Sequence, residues 1–221
     1  MNATRAVLLD LYDTLVWSEW PALRREIEDD VGVSTEDLFR AYTVTRPARS
    51  VGAFGSAEGD VAAVLEAAGA STDPRRVRQL TERMREFLET GVSLHEDSLP
   101  TVRALRARGV RTAVVSNCDH LTRAVVDRLG LEGETDAVVL SFEVASAKPD
   151  PSIYEIALDR VGASVAETVF VDDQTAYCDG AAALGMRTFL ILRDGAAPPE
   201  GVGDPGGHRV LRSLRDLIDL I

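Results

Sequence analysis

Lysine is nearly missing from this chain. Of its 24 basic residues 23 are Arg, and Lys148 stands alone. Lys and Arg differ in hydration and donor geometry, so the single exception marks a place that needs a compact ammonium. Cysteine is scarce too. Cys118 and Cys178 have no metal or redox spacing, and reduced thiols are expected. No apolar run reaches the roughly 18 residues that span a bilayer, so no membrane partner is expected. Met1 to Asp10 runs straight into an apolar strand, without the basic flank and cleavage site of a signal peptide. A cytoplasmic location is the expectation. Positive charge is short as well: 36 acidic residues against 24 basic give a net charge of −12. Such a surface repels nucleic acid and anionic lipid, and an anionic substrate must find a locally positive pocket.

What is present is a chain of 221 residues, 45% hydrophobic, enough for one large domain or one domain with an insert. Ala6–Leu9, Thr112–Val115, Ala137–Leu140, Thr168–Val171 and Thr188–Leu192 read as buried parallel strands. Between and after them lie amphipathic stretches near Leu99–Arg108, His120–Leu129, Pro151–Val161, Thr175–Leu184 and Leu211–Leu220. The alternation predicts an α/β fold with a doubly wound parallel sheet, Rossmann-like, binding its ligand beyond the carboxyl ends of the strands.

The alternation breaks after the first strand. From Trp17 to about His95 no strand is expected, and helices are predicted near Glu19–Asp30, Thr35–Tyr42, Ala57–Ala68 and Pro74–Glu89. Ser34 and Asp73 are their expected caps. This stretch is too long for one crossover and reads as an inserted α-helical cap domain, 17–95, on a core of 1–16 and 96–221. Thr43–Ser56, rich in Gly, Arg and Pro, is predicted to be a loop, as is Asp194–Gly207.

Four expected strand ends carry reactive residues: Asp10-Leu11-Tyr12-Asp13-Thr14, Val115-Ser116-Asn117, Lys148-Pro149-Asp150 and Val171-Asp172-Asp173. Asp10 and Asp172 suit a shared Mg²⁺, which takes oxygen ligands and offsets repulsion between a carboxylate and an anionic substrate. Ser116 and the amides of the following turn suit non-bridging oxygens. Lys148 neutralises Asp10 and the substrate's charge, leaving Asp10 free to attack and form a covalent aspartyl intermediate.

In these motifs and their order the sequence resembles the haloacid dehalogenase superfamily of hydrolases along nearly its whole length. The resemblance implies Asp10 as nucleophile, Ser116 as binder of the transferred group, with Asn117 and Thr14 beside it, and Lys148 as its stabiliser. It implies a Mg²⁺ site made of Asp10, Asp172, Asp173 and the backbone carbonyl of Tyr12. It also implies a cap that closes over the site. One departure stands out. Most phosphatases of that family carry a second Asp where this chain has Tyr12, and a Tyr pKa near 10 is ill suited to shuttling protons at pH 7. Tyr at this place resembles the 2-haloacid dehalogenases, whose halide leaving group needs no proton. The pair Asp172-Asp173 points back toward phosphatases, while Tyr177 replaces a later Asp or Asn.

A Mg²⁺-dependent phosphatase of a small phosphate ester is the preferred reading. A dehalogenase-type hydrolase and a catalytically weak binding or regulatory member stay open, as do monomer and homodimer. Schiff-base chemistry by a cap Lys is excluded, since the cap has none, and Tyr12 argues against a phosphosugar mutase. Arg46 and Arg49, in the expected cap loop, are candidate substrate contacts. Cys118 is expected to be a small packed residue, and Trp17 and Trp20 to pack cap against core.

Overall fold

Short aliphatic runs have no polar face to offer water, so they settle in the middle of a sheet. The structure, a computed structural model, describes residues 3–193 and 207–221. It begins with β1 (Ala6–Leu9), β2 (Val16–Ser18), α1 (Trp20–Val31), α2 (Thr35–Ser50), α3 (Ala57–Ala67), α4 (Pro74–Thr90) and β3 (Val92–Leu94). Next come α5 (Ser98–Ala107), β4 (Arg111–Ser116), α6 (Thr122–Arg128), α7 (Leu131–Glu134), β5 (Ala137–Leu140), α8 (Ser141–Val144) and α9 (Pro151–Val161). The rest is β6 (Thr168–Asp172), α10 (Thr175–Ala183), β7 (Arg187–Ile191), β8 (Arg209–Leu211) and α11 (Leu217–Leu220).

Six strands form one sheet in the order β5-β4-β1-β6-β7-β8, every neighbouring pair parallel. The expected fold class holds. Successive residues of β1 face opposite ways. Val7 and Leu9 join Val102 and Leu105 of α5 and Val125 of α6 on one side. Leu8 joins Ile153 and Tyr154 of α9 and Ala181 of α10 on the other. β1 is flanked by β4 and β6, and the chain builds outward to β5 on one side before crossing back to β6 on the other, so the crevice beyond their carboxyl ends opens at a topological switch point.

Helices α1 to α4 build a third apolar cluster of their own, around Leu23, Ile27, Leu38, Val61, Leu65, Leu80 and Met84, with Leu121 packed into it from the sheet side. Ser34 caps α2 by accepting the Asp37 amide. Asp73 caps α4 by accepting the amides of Arg75 and Arg76. Both caps are as expected.

Three expectations need correction. The stretch from Trp17 to His95 does contain strand: β2 and β3 pair antiparallel, with Val16 opposite Leu94 and Ser18 opposite Val92. These strands are too short to register as a pattern, and they form only because both ends of the helical unit return to one place. Thr43–Ser56 is not all loop, because α2 continues to Ser50 through Pro47. Pro47 removes one helical donor, but Ala41, Thr45 and Arg49 recur on the buried face and hold the last turns. Thr45 Oγ1 donates to the Ala41 carbonyl at 2.7 Å, and Arg49 Nε donates to Thr45 Oγ1 at 3.1 Å. Finally, Leu211–Leu220 is not one helix. Leu211 ends β8, and Ser213 with Asp216 forms a capping box over a 3-10 turn before α11. The expected loop at Asp194–Gly207 lies, except for Gly207, outside the described residues.

Candidate active site

Asp10 follows β1, Ser116 ends β4 and Asp172 ends β6, so three adjacent strands deliver three polar side chains to the same rim. Lys148 reaches them from the loop before α9. Its side chain is completely buried, and its Nζ donates to Asp10 Oδ1 at 2.5 Å and to Asp172 Oδ2 at 2.6 Å. The ammonium also lies 5.5 Å from the centre of the Phe170 ring and 5.0 Å from that of Tyr177, close enough for both rings to favour its charge. The chain's one lysine therefore sits where a compact ammonium must fit between two carboxylates and two rings.

Asn117 holds that lysine in place. Its Nδ2 donates to the Lys148 carbonyl at 2.8 Å, and its Oδ1 accepts the Lys148 amide at 2.7 Å. Behind the loop Gly180 of α10 is required, because a Cβ there would sit 2.7 Å from Pro149 Cβ. Asp172 spends its second oxygen on the Gln174 amide at 2.8 Å.

Asp173 completes a cluster in which Asp10, Asp172 and Asp173 each offer an oxygen within 4.8 Å of the others. Burial pushes Asp10 up to about 7, with Lys148 pulling it back and Asp172 adding to the rise. Burial, then Asp10 and Asp172, pushes Asp173 up to about 8. Burial alone would lower Lys148, but the two carboxylates outweigh it and hold the ammonium charged. Three carboxylates against one ammonium leave an excess of negative charge in a buried place. That excess and the all-oxygen donor set fit a hard divalent cation such as Mg²⁺.

A cavity of about 530 Å³ opens above this floor, with Asp10, Tyr12, Ser116 and Asn117 in its wall. Ser116 Oγ is buried without a hydrogen-bond partner, a state that buried polar groups rarely keep unless something else meets them.

Known proteins resemble this chain. The sequence profile of haloacid dehalogenase-like hydrolases matches residues 4–185. The chain belongs to that family. A phosphatase of Mycobacterium tuberculosis is 31% identical over 46% of this chain and 48% of its own. An (S)-2-haloacid dehalogenase of Burkholderia cepacia is 32% identical over 59% and 56%. The chain spans about half the length of these curated relatives. A crystal structure of a dehalogenase superposes with a TM-score of 0.71 at 26% identity, covering 100% of this chain and 98% of that one. A phosphatase of the family from Thermococcus onnurineus shares the fold, with a TM-score of 0.68 at 21% identity over 98% and 97%.

Within this hydrolase the remaining expected site residues fall in different places. Tyr12 lines the cavity, its OH 3.3 Å from Thr122 Oγ1. Burial raises its phenol further above the usual value, with Thr122 opposing, so it stays a neutral hydroxyl. Asp13 has φ +59 and is exposed; it lines the cavity without joining the three clustered carboxylates. Thr14 does not line the cavity; it is fully buried, and its carbonyl accepts from Arg193. Asn117 lines the cavity, yet both ends of its amide are spent on Lys148. The turn after Ser116 is not a helix start, since α6 begins only at Thr122 and the Cys118 amide donates to Ser141 Oγ. Cys118 is packed, as expected, and burial pushes its thiol up to about 12.

Arg46 and Arg49 lie on α2, not in a loop. Arg46 is exposed at the cavity mouth, its Nη2 donating to Tyr177 OH at 3.3 Å. Arg49 is buried and paired with Asp119 at 2.6 Å across to the sheet side. Sequence reading missed the parallel link in which His120 Nδ1 lies 2.6 Å from Asp60 Oδ2 of α3. It also missed the apolar side of the cavity, where Trp20 meets Tyr42 edge to face at 5.2 Å. Trp17 is exposed. No motif announces these contacts, because they join residues 22 or more positions apart.

Proposed function

We propose that this hydrolase is a Mg²⁺-dependent phosphatase in which Asp10 is the nucleophile, and that helices 17–95 act as its cap. The observation that carries the reading is the meeting of Asp10, Lys148, Asp172 and Asp173 beneath a cavity into which Ser116 presents an unpartnered hydroxyl. The Asp10 oxygen not bonded to Lys148 attacks phosphorus, an aspartyl phosphate forms and the alkoxide leaves. Water then hydrolyses the acyl phosphate and regenerates the carboxylate. Lys148 opposes the rise that burial gives Asp10, favouring its carboxylate, and orients it, and Ser116 donates to a non-bridging oxygen. Asn117 acts through the backbone of Lys148, and Arg46 draws the anion to the mouth. Asp10, Asp172 and Asp173, with the Tyr12 carbonyl, would hold Mg²⁺, which when bound offsets the negative charge of nucleophile and substrate.

Tyr12 favours a second reading, a 2-haloacid dehalogenase, because a neutral phenol in the place of an acid suits a leaving group that needs no proton. A panel of aryl phosphates and 2-chloroacids, each with Mg²⁺ and with a chelator, separates the two. The proposal expects phosphate release that vanishes with chelator and returns with Mg²⁺. Chloride release in chelator, with no phosphate released from any ester, would overturn it.

A further inference from the structure

The cavity is far larger than a phosphoryl group or a two-carbon haloacid. At about 530 Å³ it falls in the range that houses drug-sized ligands. Its lining has two sources. The strand ends give a polar floor with Asp10 and Ser116, whereas the helical unit and the turn before α6 give an apolar wall of Trp20, Tyr42, Met84, Phe87, Leu88 and Leu121. These come from α1, α2, α4 and the turn before α6, so the wall exists only where the helical unit faces the sheet. Trp20 and Tyr42 brace one another edge to face. Two cations on that side are paired, Arg49 with Asp119 at 2.6 Å and Arg24 with Glu28 at 3.3 Å, while Arg46 stands exposed at the mouth with one nitrogen on the Tyr177 hydroxyl. The wall therefore offers apolar surface to the part of a ligand distant from the floor, and burying apolar surface there is favourable.

Resting on the proposed reaction, we infer that the substrate class is an amphipathic organic anion. Its anionic head is held over Asp10 and Ser116, and an uncharged medium-chain alkyl or arylalkyl body lies on the Trp20–Phe87 wall. The head is a phosphate monoester in the preferred reading and a 2-halocarboxylate in the other; the body is the same in both.

Binding tests this without turnover. Methyl-, hexyl- and decylphosphonate, and acetate, hexanoate and decanoate, are titrated below their micellar concentrations into the full chain with Mg²⁺, and affinity is read by calorimetry. The hexyl head-group partner should bind on the order of 10²-fold more tightly than the methyl one, as five buried methylenes allow after the cost of ordering them. The phosphonate and carboxylate arms show which head the floor prefers. Trp20→Ala should remove most of that chain-length gain. Phe39→Ser, exposed at the mouth and so safe for folding, should reduce it. Phe54→Ala, exposed outside the cavity, should leave it intact. Chain-length gain in binding with no turnover of any ester or haloacid would uphold the chamber and fail the reaction. Equal affinity for short and long chains in both arms, or a gain that Trp20→Ala and Phe39→Ser both leave untouched, would overturn the inference.

Discussion

The floor and the wall of the cavity are built by different rules. The floor is a handful of charged residues: Lys148 donates to Asp10 and Asp172, and Asp173 offers an oxygen within 4.8 Å of both carboxylates. The wall is a set of apolar side chains from three helices and the turn before α6, touching by shape alone. Charges buried together depend on geometry to a few tenths of an ångström, because an unpaired one costs far more than a misfit methyl group. Apolar contacts are non-directional and tolerate exchange at similar volume. The comparison teaches that the floor should be intolerant even of conservative changes, while the wall should respond in proportion to lost surface.

Removing the ammonium breaks the comparison most sharply. Lys148→Met leaves three carboxylates facing one another and should cost roughly 3–5 kcal/mol of stability by urea denaturation. Adding Asp173→Asn should recover part of that loss; a simple sum of the two single effects would mean the carboxylates do not share the lysine. Conservative swaps come next. Lys148→Arg should lower turnover on the order of 10²-fold or more, the scale of one misplaced electrostatic group. Trp20→Phe should cost under about tenfold. Similar losses for both would erase the distinction between floor and wall.

The links that hold wall to floor should matter at an intermediate level. Arg49→Ala strips Asp119 of its cation and should cost about 1.5–3 kcal/mol, the range of a hydrogen bond to a charged group. Asp119→Asn should be milder, and thermal unfolding measures both. A smaller effect concerns the floor alone. With Asp10 at about 7 and Asp173 at about 8, the cluster is partly protonated at neutral pH. Mg²⁺ binding should therefore release protons, and affinity should fall as pH drops below 7. Calorimetry in two buffers of different ionisation enthalpy detects this, and a proton count of zero would contradict it.

The smallest expected effect lies outside both regions. Asp97 is buried, yet hydrogen bonds from Arg193, Ser213 and the Leu214 amide hold its carboxyl below the usual value. A depressed folded pKa means stability that is present above the unfolded value, near 3.8, and lost as pH falls through the folded one. Wild type should thus lose stability in that acid window more steeply than Asp97→Asn, whose curve should be flatter and lower at neutral pH.

Much of the floor was readable before any fold was known. Asp10, Ser116, Lys148 and Asp172-Asp173 follow expected strands or loops in a telling order, and the isolation of Lys148 among 23 Arg singled it out. Strand periodicity and caps are local signals, so β1, β4, β5, β6 and β7, and the starts of α2 and α4, were legible as well. Composition misled at Pro47 and after Leu211, where buried partners outweighed local propensity.

By itself the sequence determined which residues are chemically able to act and that parallel strands would carry them to one rim, because alternation and strand-end position are properties of neighbours in the chain. Folding in three dimensions set the rest: both ends of the Asn117 amide meet the Lys148 backbone, Thr14 lies off the cavity, Arg49 pairs with Asp119, and Trp20 and Phe87 face the same cavity as Asp10. Those outcomes depend on which distant side chain arrives first to satisfy a buried group, and no local pattern records that.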